Sequence, residues 1–250
     1  MLVNATKKRM QEGHTALGLT ITMGAALAGK ACALAGFDFV MVDNQHGNFG
    51  DHTNQPAFDA IALGGAMPAI RVQKNDYYTI GRALDRGALG IIVPMVNSAA
   101  EAREVVRACK YPPQGGRSFG PFGTEHLGSD YAVRINDEVY VAVQIETITA
   151  VERAEEILSV EGVDGCWIGP ADLGLSMGAD LTTPEGKHAH AAAIRRVLEV
   201  CQRLGKVPGI AARSWNAKGF AEMGFRYITV GSEMILLTTM CQQVIESVRQ

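Results

Sequence analysis

Two carboxylates stand just beyond two apolar segments of the chain. Glu146 ends the run Val-Ala-Val-Gln-Ile-Glu, and Asp172 follows the run Gly-Cys-Trp-Ile-Gly-Pro-Ala. If both runs are parallel strands of one barrel, their carboxyl ends open onto a shared mouth, where such folds keep their chemistry. Two carboxylates without a cysteine partner or a pair of histidines favour a hard, oxygen-binding divalent ion such as Mg2+ or Mn2+. The sequence therefore predicts a metal site held by Glu146 and Asp172.

Polar residues that follow other apolar segments indicate what such an ion would bind. Asp43 and His46 follow one segment, Arg71 ends another, Gln144 shares a segment with Glu146, and Ser232 follows the last one. A small keto acid can chelate the ion through its carboxylate and keto oxygens, and Arg71 can add charge-assisted hydrogen bonds. His46 can carry protons near neutral pH, because a histidine has an ordinary pKa of about 6.5. This set is typical of a site that stabilises an enolate.

Each of these residues also has a purely structural interpretation when it is taken alone. Asp43 and His46 could cap a helix or line a turn, and Arg71 could pair with an acid. Glu146 or Asp172 alone could be a helix N-cap, where aspartate is favoured. The functional interpretation is favoured because the alternatives are independent of one another. A purely structural explanation would require all of them to be true at the same end of one barrel.

Short apolar runs rich in valine and isoleucine alternate with stretches of helical period along the chain. The predicted strands are residues 16–23, 37–43, 68–72, 90–96, 140–146, 165–169, 207–211 and 227–231, and the predicted helices include 78–86, 99–109, 150–158, 188–204 and 217–223. Strands that are almost continuously apolar must be covered on both faces, which predicts a parallel sheet. Eight such units in 250 residues predict an α/β fold, a (β/α)8 TIM barrel forming a single domain over residues 1–250. A glycine-rich dinucleotide fingerprint after the first strand, expected of an open doubly wound sheet, is missing.

Composition excludes several classes of function. The formal net charge is −3 and the basic residues are scattered among acids, so there is no basic stripe for nucleic acid. The first fourteen residues are polar and basic, and no apolar run is long enough for a secretory or membrane-spanning segment. We therefore expect a cytoplasmic protein with no membrane partner. The five cysteines form no CxxC pair, and we interpret them as small core residues.

Motifs along nearly the whole chain resemble the class II, metal-dependent pyruvate aldolases of the HpcH/HpaI family, which cleave hydroxy keto acids. The resemblance lies in residues 35–38, 43–46, 70–72, 83–88, 93–97, 111–115, 144–146, 161–165 and 169–172. It implies a divalent ion, Mg2+, Mn2+ or also Co2+, on Glu146 and Asp172. It also implies a His46 base oriented by Asp85. The implied keto-acid contacts are Arg71, Gln144, Gly169, Pro170, Ala171 and, beside them, Asp43. The resemblance further implies a homohexamer, a trimer of dimers that exchange their last helices, with acceptor pockets at subunit boundaries.

The sequence departs from the family pattern at positions that would line the pocket for the aldehyde, the acceptor in the aldol addition. Gln45 stands where many relatives carry glutamate, Gln73 and Lys74 replace a common Pro-Trp, and Leu19 and Thr20 lie where an aromatic residue often lines the pocket. The candidate acceptor contacts are Thr20, Lys74, Phe119, Ala212 and Ser232, with Ala211, Arg213 and Glu233 as further candidates. The glycine-rich and aromatic segment 117–126 is either a lid over the mouth or only a connecting loop.

The expected reaction is the reversible aldol cleavage of a 4-hydroxy-2-oxo acid. A base removes the proton from the C4 hydroxyl, the C3–C4 bond breaks, and a pyruvate enolate held at the metal and an aldehyde result. Four alternatives remain open: a keto-acid decarboxylase, an acyl-CoA lyase of the same superfamily, a phosphate-ester isomerase with its phosphate near residues 231–232, and a non-catalytic ligand-binding barrel. No lysine stands at a strand end where a Schiff base would be needed.

Overall fold

The computed structural model describes residues 2–122, 124 and 127–249. Eight parallel strands close into a barrel in the order β1 to β8, and β8 pairs with β1. The strands are β1 (Ala16–Ile21), β2 (Phe39–Asp43), β3 (Met67–Arg71), β4 (Gly90–Val93), β5 (Tyr140–Ile145), β6 (Gly165–Ile168), β7 (Gly209–Ala212) and β8 (Tyr227–Ser232). The predicted (β/α)8 barrel is confirmed, because every predicted strand corresponds to one strand of the barrel.

Twelve helices lie in the described part of the chain, most of them on the outside of the barrel. They are α1 (Ala5–Gln11), α2 (Ala26–Leu34), α3 (Asp51–Leu63), α4 (Tyr77–Asp85), α5 (Ala99–Cys109), α6 (Tyr131–Glu138), α7 (Ile148–Glu152), α8 (Ala154–Leu158), α9 (Pro170–Met177), α10 (Pro184–Leu204), α11 (Ala217–Met223) and α12 (Glu233–Arg249). In the predicted lid, residues 123, 125 and 126 lie outside the described residues.

Two predicted helices differ from the structure by more than one residue in their bounds, whereas the predicted helix 78–86 is shifted by one residue. The predicted helix 150–158 is two short helices, α7 and α8, because the backbone leaves helical geometry at Arg153. The predicted helix 188–204 begins earlier, at Pro184. Thr183 caps this helix through its side chain, which accepts a hydrogen bond from the Gly186 N–H, and proline fits the first helical position.

The amino-terminal face of the barrel is closed by α1. The Lys7 ammonium, nearly buried, donates to the carbonyls of Asp137 and Val139 at 2.8 Å each and lies 2.9 Å from the Asp164 carboxylate. The Asn4 side chain donates to the Leu89 carbonyl at 3.2 Å. Leu89, Val139 and Asp164 immediately precede β4, β5 and β6, so α1 is attached to the ends of the strands by polar contacts.

The cysteines are free, and three of them are buried as predicted. The prediction is wrong for Cys241, which is exposed because it lies on α12, a helix whose apolar side chains are uncovered. No helix of the described residues is long and apolar enough to cross a membrane.

Candidate active site

Asp43 and Arg71 form a buried pair at the carboxyl ends of β2 and β3. The parallel register sets the two residues side by side. The Arg71 Nε donates to Asp43 Oδ1 at 3.0 Å and Nη2 donates to Oδ2 at 2.5 Å, a fork that holds the guanidinium in one orientation. Its carbon Cζ lies 5.3 Å from the ring centre of Trp167 on β6. Arg71 is therefore fixed in the mouth of the barrel before any ligand binds.

Asp43 also fixes the turn that carries His46. Its Oδ1 accepts the backbone N–H groups of Gln45 at 3.0 Å and His46 at 3.2 Å. Asp43 therefore both holds a turn and pairs with Arg71, the two structural alternatives considered for these residues, and it caps no helix of the described residues.

Glu146 is buried just past β5 and is held by two donors. Its Oε1 accepts the Met95 N–H at 2.8 Å, and its Oε2 accepts from the side-chain amide of Gln144. Met95 has φ of +57°, a left-handed conformation that is uncommon for a side chain of this size. Backbone strain of this kind is found mainly where function requires it. Here it aims an N–H at the carboxylate of Glu146.

Asp172 lies in the first turn of α9, which begins at Pro170 after Gly169. Burial raises the pKa of the Glu146 carboxyl above its ordinary value, and the negative charge of Asp172 raises it further. Glu146 is buried and Asp172 is exposed, and the two carboxylates are near enough for their charges to repel each other. A divalent cation between them would relieve both the desolvation and the repulsion.

The surroundings of the two carboxylates fit a hard cation with substrate oxygens beside it. A Cβ atom on Gly169 would lie 3.0 Å from the Gln144 amide nitrogen and 3.1 Å from Glu146 Oε2, so the missing side chain leaves this space open. The buried Gln144 Oε1 has no hydrogen-bond partner among the described residues. Within those residues no group of three or more metal-binding side chains occurs. Two carboxylates supply part of an octahedral shell and leave the other positions for substrate and water.

The structure does not bring His46 and Asp85 together within one chain. His46 is exposed after β2, whereas Asp85 ends α4 and accepts a hydrogen bond from Arg117 Nη2 at 2.6 Å. Arg117 is itself buried and stacks over the Tyr111 ring. The described residues therefore give Asp85 a structural partner that the sequence did not indicate.

The five candidate acceptor contacts fall in three places. Thr20, Ala212 and Ser232 line one cavity, of about 660 Å3, at the mouth of the barrel. Lys74 lines a smaller cavity of about 240 Å3 beside Met95. Phe119 is exposed, with its ring centre 5.7 Å from that of Tyr111.

Sequence reasoning missed Met95 and His190, which support the mouth, and it missed the partners of Glu233. Met95 holds Glu146, and no local signal marks a methionine for a positive φ. His190 on α10 has its Nε2 2.7 Å from the Pro170 carbonyl oxygen, in the first turn of α9, which also carries Asp172. Glu233 is buried after β8, and its Oε1 accepts the N–H groups of Thr22 at 2.5 Å and Met23 at 2.7 Å. The pattern Gly-Ser-Glu after the last strand was a signal for Glu233, but it gives no partner.

A closed barrel of parallel strands with two carboxylates and a fixed arginine at its mouth is typical of a (β/α)8-barrel enzyme. Comparisons with known proteins specify the family. The family model described as HpcH/HpaI aldolase/citrate lyase matches residues 22–239. The chain is 38% identical over 253 residues to the hydroxypyruvate/pyruvate aldolase of Rhizorhabdus wittichii, covering 99% of each protein. It is 36% identical to the 4-hydroxy-2-oxo-heptane-1,7-dioate aldolase of Escherichia coli, covering 94% of this chain and 90% of that one.

Solved structures agree with the sequence matches. The crystal structure of an HpcH/HpaI aldolase/citrate lyase family protein from Burkholderia cenocepacia superposes with a TM-score of 0.90 at 30% identity, over 99% of this chain and 100% of that one. The protein therefore belongs to the HpcH/HpaI aldolase/citrate lyase family and is a carbon–carbon lyase.

Proposed function

We propose that the protein catalyses the reversible aldol cleavage of a 4-hydroxy-2-oxo acid to pyruvate and an aldehyde, with a divalent ion, Mg2+, Mn2+ or Co2+. The observation that carries the proposal is the placement of Glu146 and Asp172 in one mouth with the preoriented guanidinium of Arg71. The names of the relatives, a hydroxypyruvate/pyruvate aldolase and a hydroxy-oxo-diacid aldolase, support the keto-acid substrate.

In this proposal Glu146 and Asp172 hold the ion, which supplies a Lewis acid for the keto oxygen. Arg71 donates hydrogen bonds to the keto-acid oxygens through the side of its guanidinium that Asp43 does not use. The first N–H groups of α9, at Ala171 and Asp172, precede the intrahelical hydrogen bonds and point toward the mouth, where they suit a carboxylate. The unpartnered oxygen of the Gln144 side chain accepts a hydrogen bond from a water or a substrate hydroxyl.

The proposed proton carrier is His46. In cleavage it accepts the proton of the C4 hydroxyl, the C3–C4 bond breaks, and the electron pair stays on C3 as the enolate of pyruvate. Protonation of C3 then gives the methyl group of pyruvate. Orientation of the His46 ring by Asp85, as the family resemblance implies, requires a contact that the single described chain does not contain, because Asp85 is bound to Arg117.

The position of Glu233 disfavours the phosphate-ester isomerase. Many barrels bind phosphate after strand eight, but here a buried carboxylate follows Ser232 directly. A negative charge next to this position disfavours a phosphate. The decarboxylase alternative would use the same enolate, and release of carbon dioxide rather than an aldehyde distinguishes it.

Uncovered apolar residues on α12 support a homo-oligomer, which we propose to be the hexamer implied by the family. On this helix of 17 residues only Glu233 is buried. The exposed apolar side chains are Met234, Ile235, Leu236, Leu237, Met240, Val244, Ile245 and Val248. A contiguous apolar surface of this kind is stable in water when another subunit covers it. Light scattering of the native protein measures the number of subunits.

The proposed function is tested by proton exchange of the pyruvate methyl group in heavy water. We expect exchange in the wild type only when Mg2+ or Mn2+ is added. In Glu146→Ala the exchange rate should fall at least about 100-fold, because one of the two anionic groups that hold the ion is lost. The matched control is Glu152→Ala, an exposed glutamate on α7, which should exchange like the wild type. Exchange without metal, or exchange that survives Glu146→Ala, would contradict the mechanism.

A further inference from the structure

Two cysteines that have no role in the proposed reaction lie side by side between β6 and α10. Cys166 is the second residue of β6, and Cys201 lies near the end of α10. Both residues are fully buried, and their Sγ atoms are 3.5 Å apart. A disulfide would require the two sulfur atoms to approach by roughly another 1.5 Å. The thiols are therefore in contact, on two different elements, without a covalent bond between them.

The surroundings make the two thiols chemically different. A hydrogen bond from the Cys201 thiol lowers the pKa of the Cys166 thiol, against the effect of burial, and the Gly209 N–H lowers it further. The same hydrogen bond and burial raise the pKa of the Cys201 thiol. The thiolate is the nucleophilic form of a cysteine. Cys166 is therefore the nucleophile of the pair, and Cys201 is the neighbouring thiol that can react with an oxidised sulfur.

A third buried cysteine shows how an unpaired thiol behaves in this fold. Cys109 is as deeply buried as Cys166, and burial raises the pKa of its thiol to about 12. Among the described residues, the contact between Cys166 and Cys201 is the one hydrogen bond between two sulfur atoms. Burial alone thus suppresses the thiolate, and the neighbouring sulfur makes Cys166 the exception.

The connection from α10 to β7 provides a way for a small oxidant to reach the pair. The Cys166 N–H donates to the Val207 carbonyl at 3.0 Å, and the Lys206 N–H donates to the Cys201 carbonyl at 2.8 Å. Residues 205–208, which form this connection, also line a cavity of about 550 Å3 at the amino-terminal side of the barrel. Local opening of a connection this short would expose both cysteines without unfolding the barrel.

The pair encloses the segment that carries the proposed metal ligand Asp172. Trp167 follows Cys166 directly, Asp172 lies in the first turn of α9, and His190 on α10 contacts the same turn. A bond between the two sulfur atoms would close a loop over residues 166–201 and fasten α10 to β6. Such a loop closure stabilises the folded protein, mainly because it restricts the unfolded chain.

We propose that Cys166 and Cys201 are a redox modification site, at which a peroxide converts the two thiols into a disulfide that fastens α10 to β6. The Cys166 thiolate attacks one oxygen of hydrogen peroxide, the O–O bond breaks, and Cys166 becomes a sulfenic acid while water leaves. The Cys201 sulfur then attacks the Cys166 sulfur, the S–O bond breaks, and a second water leaves. Two thiols are oxidised to one disulfide, one peroxide is reduced to two waters, and a dithiol reductant reverses the change.

The test is peptide mapping of the native protein after treatment with hydrogen peroxide and alkylation of the remaining thiols. Trypsin releases Cys166 in the peptide 154–187 and Cys201 in the peptide 197–203. We expect the two peptides to be joined, with a mass lower than their sum by two hydrogen atoms, and to separate after reduction with dithiothreitol. Recovery of the two peptides unlinked, with their cysteines either reduced or oxidised to sulfinic acids, would overturn the proposal.

Two variants separate the roles of the thiols. In Cys201→Ala we expect no linked peptides, and dimedone should trap Cys166 as a sulfenic acid, because the second thiol is missing. The matched control is Cys109→Ala, which removes an equally buried thiol without a sulfur neighbour and should form the link like the wild type. Failure of Cys109→Ala to form the link, or a Cys166 that dimedone never traps in Cys201→Ala, would contradict the assignment.

Thermal denaturation shows whether the link fastens α10. The melting temperature of the oxidised wild type should exceed that of the reduced protein by several degrees, with the same difference in Cys109→Ala and none in Cys201→Ala. A linked protein that melts no higher than the reduced one would overturn the fastening. The proposal does not rest on the aldol reaction: a protein that links the two peptides but does not exchange pyruvate protons would support it and contradict the proposed function.

Discussion

The two ends of the barrel differ in whether their buried polar groups have partners. At the amino-terminal end, the Lys7 ammonium has two carbonyls and a carboxylate as partners within 2.9 Å. At the carboxyl end, Glu146 and Asp172 are neighbouring like charges, and the buried Gln144 oxygen and the Trp167 N–H have no partner among the described residues. The fold thus pairs the buried charge at one end with an opposite charge, and at the other end it leaves two carboxylates near each other that form no ion pair among the described residues.

This difference shows which end depends on a ligand. A buried polar group without a partner costs free energy, so a chain retains such groups where something else binds them. The hydroxyls of Tyr140 and Tyr227, inside the barrel, are also unpartnered, but they are neutral and less costly. Unmatched charge is therefore a better guide to the active site than unmatched hydrogen bonding alone.

The largest expected effect tests whether the preoriented guanidinium at the mouth is functional. Arg71→Lys keeps a positive charge near Asp43 but loses the planar fork that fixes the donors. We expect the rate of metal-dependent pyruvate proton exchange to fall about 100-fold or more, as when an oriented donor to a developing oxyanion is removed.

The matched control for this change is a second arginine–aspartate fork, which lies on an exposed surface. Arg82 donates to Asp51 through Nε at 2.9 Å and Nη2 at 2.5 Å, on an exposed surface. Arg82→Lys should exchange pyruvate protons like the wild type. If Arg71→Lys also behaves like the wild type, the fork at the mouth is structural and the comparison of the two ends loses its main support.

The next largest effect is expected at the amino-terminal end of the barrel. A substitution there should change the stability of the protein and not its activity. Lys7→Met leaves two carbonyls and the Asp164 carboxylate without their buried partner, which should lower the free energy of unfolding by roughly 3 kcal/mol. Urea denaturation at fixed protein concentration measures it. The control is Lys8→Met, whose exposed pair with Glu12 at 3.9 Å should contribute less than about 1 kcal/mol. A Lys7→Met protein that is fully stable but slow in catalysis would reverse the assignment of the two ends.

Much of the fold could be predicted because the helix-capping residues and the apolar runs of the sequence agree with the barrel that they form. Helices α5 and α11 have the predicted bounds: Ser98 caps α5, and a left-handed Gly224 ends α11. The five residues of β2 are all buried, as the continuous apolar run indicates. The break at Arg153 was not predictable, because the helical period continues through it and the backbone changes only in the packed structure.

In the candidate site, the contacts between strand ends could be predicted from the sequence, whereas the contacts between loops could not. Parallel strands of a closed barrel place strand-end residues together, so the approach of Asp43 to Arg71 follows from the order of the strands alone. The order of the strands does not determine which residues of different loops come into contact. The pairing of Asp85 with Arg117 and the left-handed Met95 depend on how loops pack, and one sequence carries no period or spacing that reports it.

The smallest effect tests the cost of unmatched charge directly. Burial and the Asp172 charge raise the pKa of Glu146, so the folded protein holds this proton more tightly than the unfolded chain does. The stability of the metal-free protein should therefore decrease as the pH rises from the ordinary value of 4.5 through the raised pKa, and the full cost is present above it. Glu146→Gln removes this cost, and the Gln144 amide can turn its unpartnered oxygen toward the new side chain.

In EDTA we expect the melting temperature of Glu146→Gln to exceed that of the wild type by a few degrees at pH 8, and the difference to shrink as the pH falls toward 4.5. With Mg2+ the order should reverse, because only the wild type binds the ion tightly and gains stability from it. The Mg2+ affinity of the wild type should weaken as the pH falls through the raised pKa, since the ion requires the carboxylate. If Glu146→Gln is less stable than the wild type in EDTA at pH 8, the Glu146 carboxylate stabilises the metal-free fold, as Lys7 does at the other end. Glu146 would then be a structural group that needs no cation.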